Sequence, residues 1–379
     1  AFTMTVIVNA FFLVQERVRL SERPSGVVED ELFYLTSTGF GAVFNERVTV
    51  EEDLAMLRQT PGVVDAVQIN AIPLSGSGWS TGLQTEPGDE IQGTGVAVYM
   101  VDTHGIHTLG VELVAGENFT EADVRWRERT QSDWPDKTII TKAMAEALFP
   151  DDPFSAVGTT VYIAKDEPMT IVGMIEKLQA PWNGWGGVER SMLLPERTLF
   201  GSGRYMVRTA PGRREAMMPL IEDQLARSNS QRIIRGMRSM AETREQSYLM
   251  QRGLAISLTV GMVVLTLITS LGIVGLASFS VNRRTKQIGT RRALGARKRD
   301  ILRYFLVENF LITTMGVVLG AVMTVGFNMW LVESMSFPKI DWLYIPLGMV
   351  ALWLIGQLAV YGPARRACAV PPAVATRTV

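Results

Sequence analysis

LAISLTVGMVVLTLITSLGIVGLASFSVNRRTKQIGTRRALGARKRD, residues 254–300, joins two kinds of sequence end to end. Residues 254–281 are 28 positions without a charge. A helix needs only about 20 apolar residues to cross a hydrocarbon core of roughly 30 Å. Directly after them, residues 282–303 hold nine basic side chains (Arg283, Arg284, Lys286, Arg291, Arg292, Arg297, Lys298, Arg299, Arg303) against one acid, Asp300. Lys and Arg accumulate in the short loops that stay cytoplasmic. The stretch therefore reads as a membrane helix running into a cytoplasmic loop.

Working outward, two more uncharged runs, 309–332 and 342–364, are each long enough to span. Residues 1–14 are also apolar, but 14 residues at 1.5 Å rise make only about 21 Å of helix. No basic n-region precedes them and no small-x-small cleavage site follows, so they do not read as a signal peptide. The sequence is expected to start inside a first membrane helix that is truncated here. After Pro363 come Arg365, Arg366 and Arg377 with no acid, which puts the tail on the side of the basic loop. Residues 15–248 carry 23 basic and 34 acidic side chains, a net of −11, and belong on the opposite face. The single cysteine, Cys368, excludes a disulfide framework.

The large polar region reads as α+β. A strand at 31–36, an acidic-headed helix at 50–59 and a strand at 63–69 make one βαβ unit. A strand at 204–209, a helix to Ser228 and a strand at 231–235 make another. Two such units at the ends of one region predict a split ferredoxin-like subdomain. The Gly- and Pro-rich residues between them, with strand signals at 96–101, 138–141, 160–163 and 169–174, predict a mixed, β-rich insertion. Residues 239–252 are polar and helical in composition and run into the span without a proline, predicting a continuous stalk.

The expected fold is an α-helical membrane protein of four transmembrane helices with a large α+β periplasmic domain. Its parts are a first helix (1–14) and a periplasmic domain (15–252). The latter divides into a ferredoxin-like subdomain (15–75 and 203–238), an insertion (76–202) and a stalk (239–252). A second helix (253–281), a basic cytoplasmic segment (282–303), a third helix (304–332), a periplasmic loop (333–341), a fourth helix (342–363) and a cytoplasmic tail (364–379) follow.

Gly289 and Gly295 interrupt the basic loop, each at a helix cost of about 1 kcal/mol relative to Ala. Attraction to anionic lipid gives no reason for them, whereas a turn or a packed contact does. The segment RTKQIGTRRALGA, 284–296, closely resembles the signature of MacB/FtsX-like permeases, with Gln287 where members usually carry Glu. Further similarity lies in GVVLG (316–320), PARRA (363–367), LGVELVAGENF (109–119), ITKAMAEALFP (140–150), TIVGMI (170–175) and VRTAPG (207–212). The resemblance implies a periplasmic domain of two subdomains in a bacterial inner (cytoplasmic) membrane, multi-pass, with a permease dimer driven by two ATPase subunits. It implies that Arg284, Gln287, Ile288, Gly289, Arg291, Arg292, Ala293, Leu294, Gly295 and Ala296 form the coupling contact with the ATPase.

No Gly-Lys dipeptide occurs, so the phosphate-cradling loop G-x-x-x-x-G-K-[ST] is absent from these residues. The ATPase is expected on a separate chain, which would bind ATP and Mg²⁺, with no cofactor here. His104 and His107 are the only histidines and offer no third ligand, so no metal is expected. No H-E-x-x-H or Cys–His arrangement points to catalysis. Trp182 and Trp185 suit either a contact loop or the closing of a small core. Glu308, near the cytoplasmic start of the third span, suits a polar path or an ion site, but its depth favours reaching water or pairing with Arg303 or Arg299.

Gly261, Gly272, Gly275, Gly316 and Gly320 are candidates for packing a second protomer, because small residues let helices approach closely in lipid. Four spans are few to enclose a water-filled path. Export is the leading function, with membrane lipid, a periplasmic adaptor and an outer-membrane duct as partners and no nucleic acid. The size of the insertion favours it over an FtsX-like transducer acting on a periplasmic hydrolase; a lipoprotein-releasing permease shares the fold and is a further alternative.

Overall fold

A computed structural model describes residues 1–335 and 339–369. Arg377 and the rest of the tail beyond 369 lie outside the described residues. In chain order the elements are α1 (Phe2–Ser21), β1 (Leu32–Gly39), α2 (Glu46–Gln59), β2 (Val63–Gln68), β3 (Trp79–Gln84) and β4 (Thr94–Val101). Then come α3 (Gly105–Leu109), β5 (Leu113–Gly116), β6 (Arg125–Glu128), β7 (Lys137–Thr141), α4 (Lys142–Leu148), β8 (Thr160–Ile163) and β9 (Glu167–Ile175). The remainder are β10 (Ser191–Leu199), β11 (Ser202–Thr209), α5 (Arg214–Ser228), β12 (Arg232–Ser239), α6 (Met240–Ser247), α7 (Leu249–Arg283), α8 (Thr285–Ala293), α9 (Lys298–Met335) and α10 (Tyr344–Ala367). They form two compact units, residues 23–249 and residues 1–22 with the described residues from 250 to 369.

In the first unit, β1-α2-β2 and β11-α5-β12 interleave into an antiparallel sheet of order β12-β1-β11-β2. Helix α2 starts at Glu46, earlier than the expected position 50, because the Asn45 side chain accepts from the Val48 amide at 3.2 Å. Phe33, Leu35, Tyr205 and Val207 point to one face and are buried with Leu54, Leu57 and Ile221 of the two helices. The other strands pair in a series β4-β3-β8-β9-β7-β10, and β10 pairs again with β4, closing a ring of six; β5 and β6 extend it. Val96, Val98 and Met100 of β4 enter one core, while Ala97, Tyr99 and Val101 enter the core shared with Val67 and Met206 of the four-stranded sheet. Burial on both faces explains the unbroken apolar run that marks β4.

Side-chain amides stitch the two sheets together. Gln68 donates to the Thr198 carbonyl at 2.9 Å and accepts from its amide at 2.8 Å. Asn70 does the same with Val98 and Met100, at 3.1 and 2.7 Å. Asp102, its side chain fully buried, receives Arg58 of α2 and Arg197 of β10, each at 2.9 Å.

The expected stalk is not continuous. Helix α6 opens on a capping box, in which Ser239 Oγ accepts from the Glu242 amide and the Glu242 carboxylate accepts from the Ser239 amide. It ends at Ser247, and Tyr248 is a turn residue (φ −100°, ψ 5°) before α7 begins. The break is tertiary in origin. Tyr248 is 2 % exposed and lies under the Arg244 guanidinium at 5.7 Å, a burial that composition does not announce.

In the second unit α7, α9 and α10 are long and apolar enough to cross a membrane. Among the described residues three helices meet that test, not the expected four, because α1 passes from its apolar residues into Glu16, Arg17 and Arg19. Helix α1 continues to Ser21 and packs on α9 and α10, where Met4 and Val8 are buried with Val317 and Tyr344. A Cβ on Gly348 of α10 would come within 2.3 Å of Val8.

Candidate functional site

The basic stretch folds into a helical hairpin. Helix α8 turns Ile288 and Gly289 inward, and Ile288 joins Val281, Ile301, Phe305, Val360 and Ala364 in a small core. The helix stops at Ala293-Leu294-Gly295-Ala296. The Gly295 amide donates to the Arg292 carbonyl at 3.1 Å and the Ala296 amide to the Arg291 carbonyl at 3.0 Å, with Gly295 at φ +97°. That is a Schellman cap, which needs a residue at ease in the left-handed region. Asp300 Oδ2 then accepts from the Arg297 amide at 2.9 Å and opens α9. The cap leaves Leu294 83 % exposed, beside exposed Gln287, Arg291 and Ala293.

The ten residues grouped as one contact do not share a face. Ile288 and Gly289 belong to the chain's own core, so they are not free to meet a partner. Arg284 is committed to Glu308 at 2.8 Å and to the Tyr304 hydroxyl at 3.1 Å, while Arg292 donates to the Cys368 carbonyl at 3.2 Å. Gln287, Arg291, Ala293, Leu294 and Gly295 remain outward, with Ala296 half-buried. Glu308 is paired with Arg284 rather than with Arg299 or Arg303, because α8 folds back along the start of α9. Tyr304, which also lies 5.2 Å under the Arg291 guanidinium, gave no sequence signal beyond being an aromatic in a basic segment.

Between α1, α7, α9 and α10 the helices leave a cleft of about 420 Å³, lined by apolar residues with Thr266, Thr269, Thr313 and Asn309, and with Glu308 among its walls. A cleft exists, and the charge of Glu308 is met by Arg284.

The glycines divide. A Cβ on Gly320 would lie 2.9 Å from Met4 Cβ and 3.0 Å from the Ala1 carbonyl, and one on Gly316 3.9 Å from the Ala1 nitrogen. Within the chain these two therefore face α1, Gly320 closely and Gly316 at ordinary contact distance. Gly261, Gly272 and Gly275 on α7 meet nothing within 4 Å.

Elsewhere, His104 and His107 turn their Nδ1 atoms to one carboxylate, Asp65, at 2.9 and 2.7 Å. Among the described residues no group of three ligating side chains could hold a metal. Trp182 and Trp185 meet edge to face at 6.1 Å and pack on the core, while Asn183 between them donates to Ser247 Oγ at 2.9 Å.

A family model of the MacB-like periplasmic core domain matches residues 2–224, and one of the FtsX-like permease C-terminal region matches residues 259–372. The chain belongs to the MacB/FtsX-like family of ABC transporter permeases. The macrolide export ATP-binding/permease protein MacB of Chromobacterium violaceum is 27 % identical over 283 residues, 69 % of this chain and 40 % of the relative. The protein of the same name from Bradyrhizobium diazoefficiens is 28 % identical over 302 residues, 74 % and 43 %. The chain thus spans about two-fifths of the length of these MacB relatives. A solved structure, the periplasmic region of MacB from Actinobacillus actinomycetemcomitans, is 13 % identical over 60 % of this chain and 97 % of its own, with a TM-score of 0.35. The FtsX-like match contains the whole α8–α9 hairpin, and the MacB-like match covers α1 and most of the 23–249 unit.

Proposed function

We propose that this permease couples ATP hydrolysis on a separate ATPase subunit to export of a substrate, with the ATPase pressing on the α8–α9 hairpin. One observation carries the reading: a left-handed glycine cap holds an 83 %-exposed leucine on a strongly basic turn between two membrane-length helices. An apolar side chain held in that way has no use for water and suits a groove on a partner. ATP and Mg²⁺ would bind to that ATPase. The printed names of the relatives, macrolide export proteins, and the ring of strands built from the insertion favour export over FtsX-like signalling to a hydrolase or lipoprotein release.

On this reading α1 is a fourth span, supported by its packing on α9 and α10. The basic hairpin is cytoplasmic in a bacterial inner membrane, and the 23–249 unit, with its ferredoxin-like strand order, is periplasmic. A second protomer, an adaptor and an outer-membrane duct complete the assembly. The experiment replaces Leu294 with Asp in the intact transporter. ATPase activity should continue while transport falls by at least about tenfold, since a buried, unpaired carboxylate in the contact costs several kcal/mol. Transport at the parent rate would rule the contact out.

A further inference from the structure

The 23–249 unit holds a cleft of about 550 Å³ that the permease reading does not use. Its floor is the face of the four-stranded sheet turned away from α2 and α5. There Thr36 of β1 stands level with Arg204 of β11 on one side and Arg235 of β12 on the other. Strands lie about 4.8 Å apart, so the two arginine backbones flank the threonine at a separation of roughly 10 Å. Residues level across a sheet share a face, so both guanidiniums can reach one small group held over Thr36. The register of β12 shifts between Tyr34 and Thr36, with Gly236 at φ +65° in the irregular segment, and such bulges re-aim side chains.

Arg204 donates to the Asn70 carbonyl at 2.7 Å, and Arg129 at the rim donates to the Phe200 carbonyl at 2.5 Å. No carboxylate lines the cleft, and neither Arg204 nor Arg235 has an ion-pair partner among the described residues. The nearby acid Glu46 accepts from the Gly201 amide at 2.9 Å and lies close enough to Arg129 at the rim to feel its charge. Among the described residues Arg204 and Arg235 thus face the cleft without an ion-pair partner, in a region whose net charge is −11. Beside them Trp79, 43 % exposed, stacks on Phe200 with centroids 5.5 Å apart and planes 25° from parallel.

We propose that this cleft binds an organic anion consisting of a phosphate, carboxylate or sulfonate on a flat apolar body. The anionic group sits between Arg204 and Arg235, because guanidinium forks match planar and tetrahedral oxyanions and lose little hydration on binding. The flat body lies against Trp79, which already presents an open ring face. The volume is in the range of small-ligand pockets. The inference rests on the cleft alone and stands or falls separately from the coupling hairpin.

The test is equilibrium dialysis of the full chain in detergent against 1-naphthyl phosphate, 1-naphthol and inorganic phosphate, with micelle-only uptake subtracted. Saturable binding of one 1-naphthyl phosphate per chain is expected, at least about tenfold weaker for Arg204→Gln/Arg235→Gln and weaker by several-fold for Trp79→Ala. Naphthol and phosphate should each bind at least about tenfold more weakly than the combined ligand. Parent-like unfolding temperature is required of the double variant. If that fails, Arg235→Gln alone carries the test, since Arg235 is exposed and makes no contact whose loss would unfold the sheet. Absence of saturable binding, undiminished binding by the arginine variants, or equal binding of naphthol overturns the proposal.

Discussion

Gly295 and Leu294 divide the labour of the α8–α9 turn between backbone and side chain. Gly295 sits at φ +97° with nothing within 4 Å of a would-be Cβ, so its requirement is conformational, not steric. An L-residue with a Cβ pays about 1 kcal/mol in the left-handed region, and Asn pays less because it tolerates that region. Gly295→Ala should therefore lower thermal stability in detergent by about that amount, and Gly295→Asn by less. Identical melting of the parent and both variants would mean that the cap does not hold the turn. The glycine itself was legible in the sequence as a turn or a close packing. Which neighbours it separates was not, because the inward placement of Ile288 depends on Val281, Ile301 and Phe305 arriving from two other helices.

At the scale of elements, Asp102 fastens α2 to β10. Burial pushes its carboxyl up, but the guanidiniums of Arg58 and Arg197 outweigh this and hold it below the usual carboxylate range. A depressed folded-state pKa contributes stability above the unfolded value, near pH 4, and that contribution is lost as pH falls through the folded one. Asp102→Asn leaves two partly buried cations facing a neutral amide, at a cost of about 3–5 kcal/mol. Urea unfolding of the intact chain, followed by tryptophan fluorescence, should show the full deficit at pH 7 and a shrinking one below pH 4. A deficit constant with pH would exclude the ionic origin. The same kind of pairing decided which strands could be read from sequence. β4, β8 and β9 announced themselves as apolar runs, whereas β10 carries Pro195, Glu196 and Arg197 and was passed over. Glu196 is fully buried between Arg125 and Arg127 of β6, so two strands that look solvated in isolation satisfy one another. Tyr248 hid the break after α6 for a similar reason: its partners, Arg244 and Gln179, make no pattern with it or are distant in sequence.

For the whole molecule, the unequal company of the helices points to where a second copy would sit. Helices α9 and α10 share a long contact with each other and with α1, and Gly320 and Gly348 are spent on Met4 and Val8. Helix α7 is different: none of its most apolar 18-residue window is buried. At about 100° per residue Gly261 and Gly272 fall roughly 20° apart around the helix and Gly275 about 60° from Gly272, so the three line one stripe. Lipid gives no preference for glycine, but a second helix does, since small residues permit close approach and dense packing. Two copies meeting along this stripe would bring equivalent α carbons near the separation, under about 7 Å, that a disulfide spans. Mild oxidation of membranes carrying Gly272→Cys in a Cys368→Ser background should give a covalent dimer, and Gly320→Cys should give little, its Cβ being turned to Met4. Because the stripe lies on the helix that leads out of Tyr248, the crosslinked form should also lose transport while keeping its ATPase partner. A dimer formed through position 320 and not through 272 would place the second protomer on the other side of the helical unit.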